Sequence, residues 1–365
     1  MQYVTKNDKK YFYLQSIYLD PNIWYIKNSH IKKVEIMDGK NRKPKKTARE
    51  LVEKLKDKGV TFNRITEDEA VEYLSERNNY LRTASYRKCY EKHKAGENEG
   101  KYIHLDFYNL AELSSIDMHL RNQLLKMCID IEHALKVALL TEIENNSCED
   151  GYILVEDFFF KYPEILSSVK NKADAIFTEG LISNYFDLCY VLNETNDNAK
   201  LEIQSHHCPI WVLMELISFG DTLKLYDFYN EKYPVNKLIK IDRKVLNPVK
   251  SLRNACAHNN CLLNAIGKKE TNPSSVITQY VSQFHNIGKE ERKRKLSYRP
   301  FFEIVCMLFV YEKVVSENVK KHKINDLKFF IHTKMFENIN YFVENQTIYS
   351  SFIFLKKVVD NVCAK

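Results

Sequence analysis

The chain has 365 residues, of which 44% are hydrophobic, 9 are Gly and 8 are Pro. So few helix breakers over this length favour long helices over a strand-rich fold with many tight turns. The nine cysteines form no Cys-x-x-Cys pair, and no apolar run is long enough to cross a bilayer. These features argue against a disulfide scaffold, a structural zinc site and a membrane protein. No signal-peptide pattern occurs at the start, so we expect a cytoplasmic protein.

The excess positive charge lies in the N-terminal part of the chain. Residues 1–50 contain 12 Lys and Arg against 5 Asp and Glu, whereas the rest of the chain is neutral. Strand-like alternation over residues 1–40 predicts a short hairpin or an extended arm. Basic residues interleaved with aromatic ones are typical of RNA binding, and the alternative is a solvated tail with a few anchoring aromatics. The residues predicted to bind RNA here are Lys40, Arg42, Lys43, Lys45, Lys46 and Arg49.

Helical patterns begin at Thr47. Thr47 and Glu50 have the spacing of a capping box, and Gly59 is a stop signal. A second helix is predicted over residues 67–80. Residues 80–90 combine cations with three tyrosines, which indicates either a second RNA contact or tyrosines that pack inward beside solvated charges. The candidate RNA-binding residues of this segment are Arg82, Arg87 and Lys88.

The most regular stretch is residues 105–144, where apolar residues at helical spacing predict a long amphipathic helix. Glu132 interrupts that pattern. We interpret it either as the partner of Arg253 across a helical bundle or as a surface acid. Further along, the patterns predict helices over residues 152–190 and 209–229 and a polar loop at residues 193–200.

The most informative stretch is residues 246–264. Asn247 can cap a helix whose first turn contains Pro248. Three apolar residues then recur at helical spacing and predict a buried face, while three polar residues fall outside it. Arg can hold phosphate oxygens with a bidentate fork and His can move a proton near neutral pH, so the polar arc suits a phosphodiester. The apolar residues are Val249, Leu252 and Cys256, and the candidate catalytic residues are Arg253, Asn254 and His258.

The C-terminal part follows a loop at residues 267–275. A basic cluster at residues 289–299 is interpreted either as a further RNA contact or as a solvated loop. Three helices are predicted over residues 301–319, 326–344 and 349–363. The whole pattern predicts a mainly α protein. We divide it into a basic arm (1–46), an N-terminal helical region (47–110), a helical core (111–266) and a C-terminal helical extension (267–365).

Residues 253–258, Arg-Asn-Ala-Cys-Ala-His, match the Arg-x4–6-His signature of HEPN-domain ribonucleases. The string from residue 253 to residue 264 resembles the corresponding segment of the Abi family of bacterial abortive-infection proteins, the AbiD/AbiF-like group. Three upstream segments resemble the same family in the same order, and together the matches cover roughly residues 47–266. They are residues 79–82 with Tyr86 and Arg87, residues 120–121 leading to 131–132, and residues 209–220.

A second Arg-to-His spacing runs from Arg87 to His93. With 11 histidines in the chain, a chance match is expected, so spacing alone does not decide. We prefer Arg253 and His258 because a polar residue follows the Arg, an apolar face lies on the same helix and the family string surrounds both. The competing interpretation of His258 is a helix-terminal residue that interacts with the last carbonyls.

The resemblance implies a HEPN-like helical bundle and a toxin-like, metal-independent endoribonuclease of anti-phage defence that needs no cofactor. Arg253 would stabilise the phosphorane, His258 would move the proton and Asn254 would orient the His or a phosphate oxygen. HEPN ribonucleases typically combine two motifs, so a single motif implies a homodimer. AbiF-type relatives are associated with structured noncoding RNA, which implies regulation by a folded RNA, as in a toxin–antitoxin pair.

Two alternatives stay open. One is a non-catalytic RNA-binding protein of a defence ribonucleoprotein, in which Arg253 and His258 only hold RNA. The other is a toxin that acts on the translation machinery by contact rather than by cutting. The residues themselves support the metal-independent reading in one respect, since no Asp, Glu or His set has metal-site spacing and no Gly-rich phosphate loop occurs.

Overall fold

The longest helix, α4 (Phe107–Asn145), is the element against which several other helices pack in a computed structural model of the chain. The structure describes residues 2–6, 9–13, 43–192 and 199–364, with the backbone alone for residues 2–6, 9–13, 190–192 and 199–200. Asp106 begins α4 because its carboxylate accepts the Tyr108 backbone N–H at 3.0 Å. The long helix predicted over residues 105–144 is confirmed, with buried side chains at helical spacing that include Leu113, Leu120, Leu124, Ile131, Leu135 and Leu139.

Fifteen α-helices account for most of the described residues, and the predicted mainly α fold is confirmed. Before α4 lie α1 (Ala48–Asp57), α2 (Glu67–Glu72) and α3 (Tyr80–Thr83). After it come α5 (Ile153–Lys161), α6 (Pro163–Lys170), α7 (Glu179–Tyr185), α8 (Ile210–Leu216), α9 (Phe219–Lys232) and α10 (Arg243–Ala257). The last five are α11 (Ser275–Ser282), α12 (Lys289–Leu296), α13 (Arg299–Val314), α14 (Glu317–Phe330) and α15 (Gln346–Cys363).

The predicted caps of α1 are confirmed. The Thr47 hydroxyl accepts the Glu50 backbone N–H at 3.3 Å, and the Glu50 carboxylate accepts the Thr47 backbone N–H at 2.6 Å. Gly59 follows the helix with φ of 81°, a left-handed conformation that glycine adopts without strain. The chain then turns back, and Thr61 donates its backbone N–H to the Leu105 carbonyl oxygen at 2.9 Å beside the start of α4.

Residues 67–90 form short helical pieces instead of the single helix predicted over residues 67–80. α2 continues as a π-helical turn (Tyr73–Arg77), and an extended Asn78 then ends it. After α3, a 3-10 helix (Ala84–Cys89) follows directly. Its tyrosine faces inward and is fully buried, while Lys88 is exposed, which agrees with the inward-packing interpretation of the tyrosines.

The described residues contain two sheets, and each is an antiparallel hairpin of two strands. β1 (Gln2–Lys6) pairs with β2 (Lys9–Tyr13), within the stretch whose alternation predicts a hairpin or an extended arm. The clearest alternation in that stretch, at residues 18–19 and 23–26, lies outside the described residues. β3 (Phe186–Leu192) pairs with β4 (Ala199–His206).

The β3–β4 hairpin corrects the sequence analysis. The segment predicted as helical over residues 152–190 is three helices, α5 to α7, up to Tyr185 and a strand beyond it, and the loop predicted over residues 193–200 overlaps the start of β4. Six of the seven residues of β3 are apolar, and such a run cannot be told from a buried helix by periodicity alone. The backbone hydrogen bonds of β3 come from β4, the next strand along the chain, and helical periodicity does not register such a partner.

The helix predicted over residues 209–229 is also two helices. Ile217, with φ of −94° and ψ of 153°, is extended and separates α8 from α9. The Ser218 hydroxyl then caps α9 by accepting the Asp221 backbone N–H at 3.3 Å. Serine competes with helix continuation through this local bond, which is why the chain stops and restarts there.

α10 begins earlier than the sequence analysis predicted. Asp242, not Asn247, is its N-cap, since the Asp242 carboxylate accepts the Lys244 backbone N–H at 2.7 Å. Pro248 therefore lies inside the helix and removes one backbone donor there. Val245 and Leu246 extend the apolar face by one turn toward the N-terminus, and their burial offsets the loss of the backbone donor at Pro248. The predicted buried face is confirmed for Val249, Leu252 and Cys256.

The C-terminal helices cover α10. α13 packs against both α10 and α4, and buried apolar side chains from Val52 to Val362 form one continuous cluster. The three predicted C-terminal helices correspond to α13, α14 and α15 with shifted ends, and the basic cluster at residues 289–299 is helical, not a loop. Among the described residues, no helix is both long and apolar enough to cross a membrane. The proposed four-part division of the chain stays a prediction.

Candidate functional site

The candidate catalytic residues lie on the polar side of α10 and at its C-terminal end. His258 is the exposed C-cap, and its backbone N–H donates to the Asn254 carbonyl oxygen at 2.9 Å. Asn254 and His258 are four residues apart, so both side chains leave the same side of the helix. The opposite side is held in the core by Val249 and Leu252. α10 therefore presents its amide and imidazole to solvent from a buried support.

Arg253 occupies the flank of this polar side, next to α4. Its Nη2 lies 3.4 Å from Glu132 Oε2, which confirms the predicted pairing of Glu132 with Arg253. Its Nη1 donates to Asn254 Oδ1 at 3.3 Å, while its Nε is buried and has no hydrogen-bond partner among the described residues. The Arg253 side chain is 31% exposed. The guanidinium is therefore held by a carboxylate and still reachable from solvent.

The turn after His258 is held by two arginines. Asn259 has φ of 57°, a left-handed conformation that asparagine tolerates better than most residues. Arg82 Nη1 donates to Asn259 Oδ1 at 3.0 Å, and Arg82 Nη2 donates to the Asn259 carbonyl oxygen. Arg121 Nη2, from α4, donates to the same Oδ1 at 2.9 Å. The backbone that immediately follows His258 is thus fixed from two directions.

Arg121 is itself anchored by the buried Asp117. Their side chains are 3% and 0% exposed and form an ion pair one turn apart on α4. Asp117 also accepts the Tyr86 hydroxyl at 2.6 Å and the backbone N–H groups of Leu262 and Leu263 at 3.2 Å. Burial raises the pKa of Asp117, while Arg121, the Tyr86 hydroxyl and the two amides act in the opposite direction. Burial also raises the pKa of Tyr86, which stays a hydrogen-bond donor.

A cleft of about 570 Å³ opens beside the turn. Ala255, Asn260 and Asn264 line one side, and Arg299 and Glu303 of α13 line another. Arg299 Nε donates to Glu303 Oε1 at 2.8 Å. Burial raises the pKa of Glu303, and Arg299 opposes that shift. Lys88 also lines this cleft, whose volume falls in the range of small-molecule sites.

The family of the chain follows from its sequence over this region. A sequence model of the family described as Abi-like protein matches residues 72–264, more than half of the chain. The chain belongs to the Abi-like protein family. No curated protein and no solved structure gives a significant match. The Abi-like span contains all of α4 and α10. It therefore contains both arginine–carboxylate pairs and the turn that follows α10.

The predicted RNA-binding residues that the structure describes lie at the start of α1, in α3 and in the 3-10 helix Ala84–Cys89. Lys40 and Arg42 lie outside the described residues. Lys43, Lys45 and Lys46 are exposed just before α1, and Arg49 pairs with Asp68 at 2.5 Å. Arg82 is engaged by the turn at Asn259, Arg87 packs between two tyrosine rings and Lys88 lines the cleft. Their contact with RNA stays a prediction.

The second Arg-to-His spacing has a different geometry. Arg87 lies in the 3-10 helix, the chain is extended at Tyr90, and His93 follows in a loop. The His93 backbone N–H donates to the Lys101 carbonyl oxygen at 2.9 Å. Arg87 and His93 therefore share no helix face, in contrast to Asn254 and His258.

The role of the Asp117 network in the Abi-like span was not predicted from the sequence. The signal was present, because Asp117 and Arg121 are a charged pair four residues apart in a face that is otherwise apolar. Its partner Asn259 gave no such signal, since an Asn-Asn turn after a helix is common. Among the residues whose side chains are described, no group of three or more His, Cys, Asp or Glu lies close enough to hold a metal ion.

Proposed function

We propose that this Abi-like chain is an abortive-infection ribonuclease of the HEPN type that cuts RNA by metal-independent transesterification. The observation that carries the proposal is the end of α10. Asn254 and His258 face solvent from one side, Arg253 flanks them, and the turn behind them is fixed by two arginines. An imidazole, an amide and a guanidinium on a rigid support are what a phosphodiester substrate needs.

The chemistry would use the 2′-hydroxyl of the RNA as nucleophile. Its oxygen bonds to phosphorus, the bond from phosphorus to the 5′-oxygen breaks, and the products carry a 2′,3′-cyclic phosphate and a 5′-hydroxyl. One proton leaves the 2′-oxygen and another reaches the 5′-oxygen. His258 would carry out one of these transfers, and Arg253 would stabilise the charge that develops on the phosphorane.

The second proton transfer leads to the proposal of a homodimer. A single His258 supplies one acid or base at a time, whereas the reaction needs one of each. The same motif in a second copy of the chain would supply the other. Because the motif lies at a solvent-exposed helix end, a second copy can reach it without opening the core. Binding of a structured noncoding RNA would then regulate access to this shared site.

One observation favours a second candidate function. The Arg253 guanidinium already has the carboxylate of Glu132 as partner, so part of its charge is neutralised before any substrate arrives. An RNA-binding protein without catalysis would tolerate that arrangement, because it needs to hold a phosphate only in its ground state. The two functions differ in whether RNA is cut.

The test is incubation of the purified protein with single-stranded RNA in EDTA, followed by analysis of the product ends. The ribonuclease proposal predicts cleavage with 2′,3′-cyclic phosphate ends, lost in His258→Ala and kept in the control His93→Ala. Binding without cleavage by the wild-type protein would support the non-catalytic candidate. Cleavage that needs added metal, or that persists in His258→Ala, would overturn the site assignment.

A further inference from the structure

A group of cations and aromatic rings lies outside the candidate catalytic site, and Arg87 is the one member already predicted to contact RNA. It lies between the end of α1, the 3-10 helix Ala84–Cys89 and the loop that follows. We call it the tyrosine–cation patch, and its members are Lys54, Lys58, Tyr80, Arg87, Lys92 and Tyr102.

Two tyrosine rings hold the cations of the patch together. The Arg87 guanidinium carbon lies 5.7 Å from the Tyr80 ring centroid and 5.8 Å from that of Tyr102. Lys54 Nζ lies 5.7 Å from the Tyr80 centroid, and Lys92 Nζ lies 4.8 Å from the Tyr102 centroid. Each ring therefore attracts two cations through its quadrupole, and Arg87 bridges the rings.

The positive charge of the patch is not balanced by carboxylates. No member of the patch forms a salt bridge with a described residue, whereas the neighbouring Lys56 pairs with Glu67 at 2.5 Å. Burial lowers the pKa of Lys58, and the charges of Arg87, Lys54, Lys92 and Lys43 lower it further. Like charges this close repel one another unless an anion lies between them.

Two polar atoms in the patch also lack partners. Arg87 Nη1 and the Tyr80 hydroxyl oxygen are buried and make no hydrogen bond with the described residues. The Arg87 Nε, in contrast, donates to the Ala84 carbonyl oxygen at 2.8 Å, which fixes the side chain in place. Arg87 is therefore held in a fixed position with one donor left unsatisfied in the interior, and it adds its positive charge to the patch.

The position of the patch connects it with the candidate catalytic site. Arg87 belongs to the patch, and the next residue, Lys88, lines the cleft beside the turn that follows His258. Both residues belong to the 3-10 helix Ala84–Cys89, so the patch and the cleft adjoin the same short element. Lys43, whose charge lowers the pKa of Lys58, belongs to the basic arm and is the first residue described after residues 14–42.

We propose that the tyrosine–cation patch binds the phosphate backbone of single-stranded RNA and guides the strand past Lys88 to His258. The cations neutralise consecutive phosphates, and the rings keep the cations in register, so binding depends on charge and not on base sequence. The choice of RNA as ligand rests on the proposed function. The patch itself rests on the unbalanced charge and on the ring contacts.

The experiment measures RNA affinity in the His258→Ala background, so that the probe stays intact. A fluorescent single-stranded RNA of about 20 nucleotides is titrated at several salt concentrations against the added triple variant Lys54→Gln, Lys58→Gln and Lys92→Gln. The matched control carries Lys237→Gln, Lys244→Gln and Lys321→Gln, three exposed lysines without a salt bridge to a described residue. Both triple variants lose the same net charge.

We expect the patch variant to bind RNA at least tenfold more weakly near 0.1 M salt, and the slope of log K against log salt to fall by about 2, since each single-strand contact adds about 0.7. The control should stay within about twofold of its parent. Equal affinity and equal slope in the two triple variants would overturn the proposal. Weaker binding with a lower melting temperature would assign these lysines to the fold and overturn it too, because removal of like-charge repulsion should leave the melting temperature unchanged or raise it.

The outcomes also separate this proposal from the proposed function. If the wild-type protein binds RNA through the patch but does not cut it, the patch proposal holds and the nuclease proposal fails. If the wild-type protein cuts RNA and the patch variant binds RNA as tightly as the control, the nuclease proposal holds and the patch proposal fails.

Discussion

Two arginine–carboxylate pairs beside the end of α10 have opposite environments. In the pair of Arg121 with Asp117 the side chains are 3% and 0% exposed, and Asp117 is surrounded by further donors. In the pair of Arg253 with Glu132 they are 31% and 15% exposed, and Arg253 Nε has no partner among the described residues. The buried pair fixes the backbone, whereas under the proposed function the exposed pair would exchange its carboxylate for a phosphate.

The difference in burial predicts a difference in energy. Loss of one partner leaves the other charge without compensation, which costs about 3–5 kcal/mol in a buried pair and about 0–1 kcal/mol in an exposed one. Mutations at the first pair should therefore change stability. Mutations at the second should change the interaction with RNA.

The largest expected effect is that of Asp117→Ala. It leaves Arg121 buried without a partner and removes the acceptor of two backbone N–H groups, so we expect the free energy of unfolding to fall by about 3–5 kcal/mol in urea denaturation. The matched control Tyr86→Phe removes one hydrogen bond to the same carboxylate and should cost about 1 kcal/mol. Equal losses in the two variants would mean that the ion pair adds nothing.

Lys295 is a buried cation that can be compared with these pairs. Among the described residues, no carboxylate forms a salt bridge with it. Its Nζ donates to Ser350 Oγ at 2.7 Å and Ser351 Oγ at 2.8 Å, and burial lowers its pKa to about 8. In the unfolded chain the pKa is about 10.4. Between these values the unfolded state binds more protons, so stability rises with pH in that window.

For wild type minus Lys295→Met, we expect the difference in free energy of unfolding to rise by roughly 2–3 kcal/mol from pH 8 to pH 10.4. The subtraction removes the contribution of other groups that titrate in the same range. Urea denaturation at a series of pH values measures it. A difference that stays constant, or that falls with pH, would contradict a buried Lys295 with a lowered pKa.

A smaller effect is expected at Asn259, which the buried pair holds. Asn259→Ala loses the bonds from Arg82 and Arg121 and must also adopt a left-handed backbone, so we expect a loss of roughly 2 kcal/mol. Asn259→Gly loses the same side-chain bonds but adopts that backbone freely, and it should lose roughly 1 kcal/mol. Similar unfolding free energies for the Ala and Gly variants would rule out a contribution from the backbone conformation.

The smallest effect on stability is expected for Glu132→Gln at the exposed pair. The free energy of unfolding should change by less than about 1 kcal/mol. The Arg253 guanidinium loses its carboxylate, so RNA affinity should rise and the salt slope should steepen by roughly 0.7. Glu179→Gln, an exposed acid on α7, is the control for the change in net charge. The exposed pair has no role in RNA binding if both variants have the same slope.

Much of the helical fold was readable from local patterns. The periodicity of α4, the capping box of Thr47 and Glu50, and the buried face of Val249, Leu252 and Cys256 all depend on neighbours within a few residues. The start of α10 was missed because Pro248 looks like a first-turn residue, although the apolar face continues before it. β3 was missed because six of its seven residues are apolar, and such a run fits a buried helix as well as a strand.

The candidate site was predictable only in part. The pairing of Glu132 with Arg253 followed from a charge that interrupts an apolar stripe, and it is confirmed. The fixation of Asn259 by Arg82 and Arg121 joins residues that are 177 and 138 positions apart in the chain. No local pattern relates such residues, so Arg82 was predicted only as an RNA contact, and the structure adds its bonds to the turn.

The most direct test is made on His258→Asn, with the cleavage rate in EDTA and the free energy of unfolding measured on the same preparation. The account predicts at least a 100-fold lower rate, because the proton-transfer group is lost. It predicts an unfolding free energy within about 0.5 kcal/mol of wild type, because the side chain is exposed. A wild-type cleavage rate, or a loss of activity that comes with an equal loss of stability, would contradict the separation between the buried support and the exposed site.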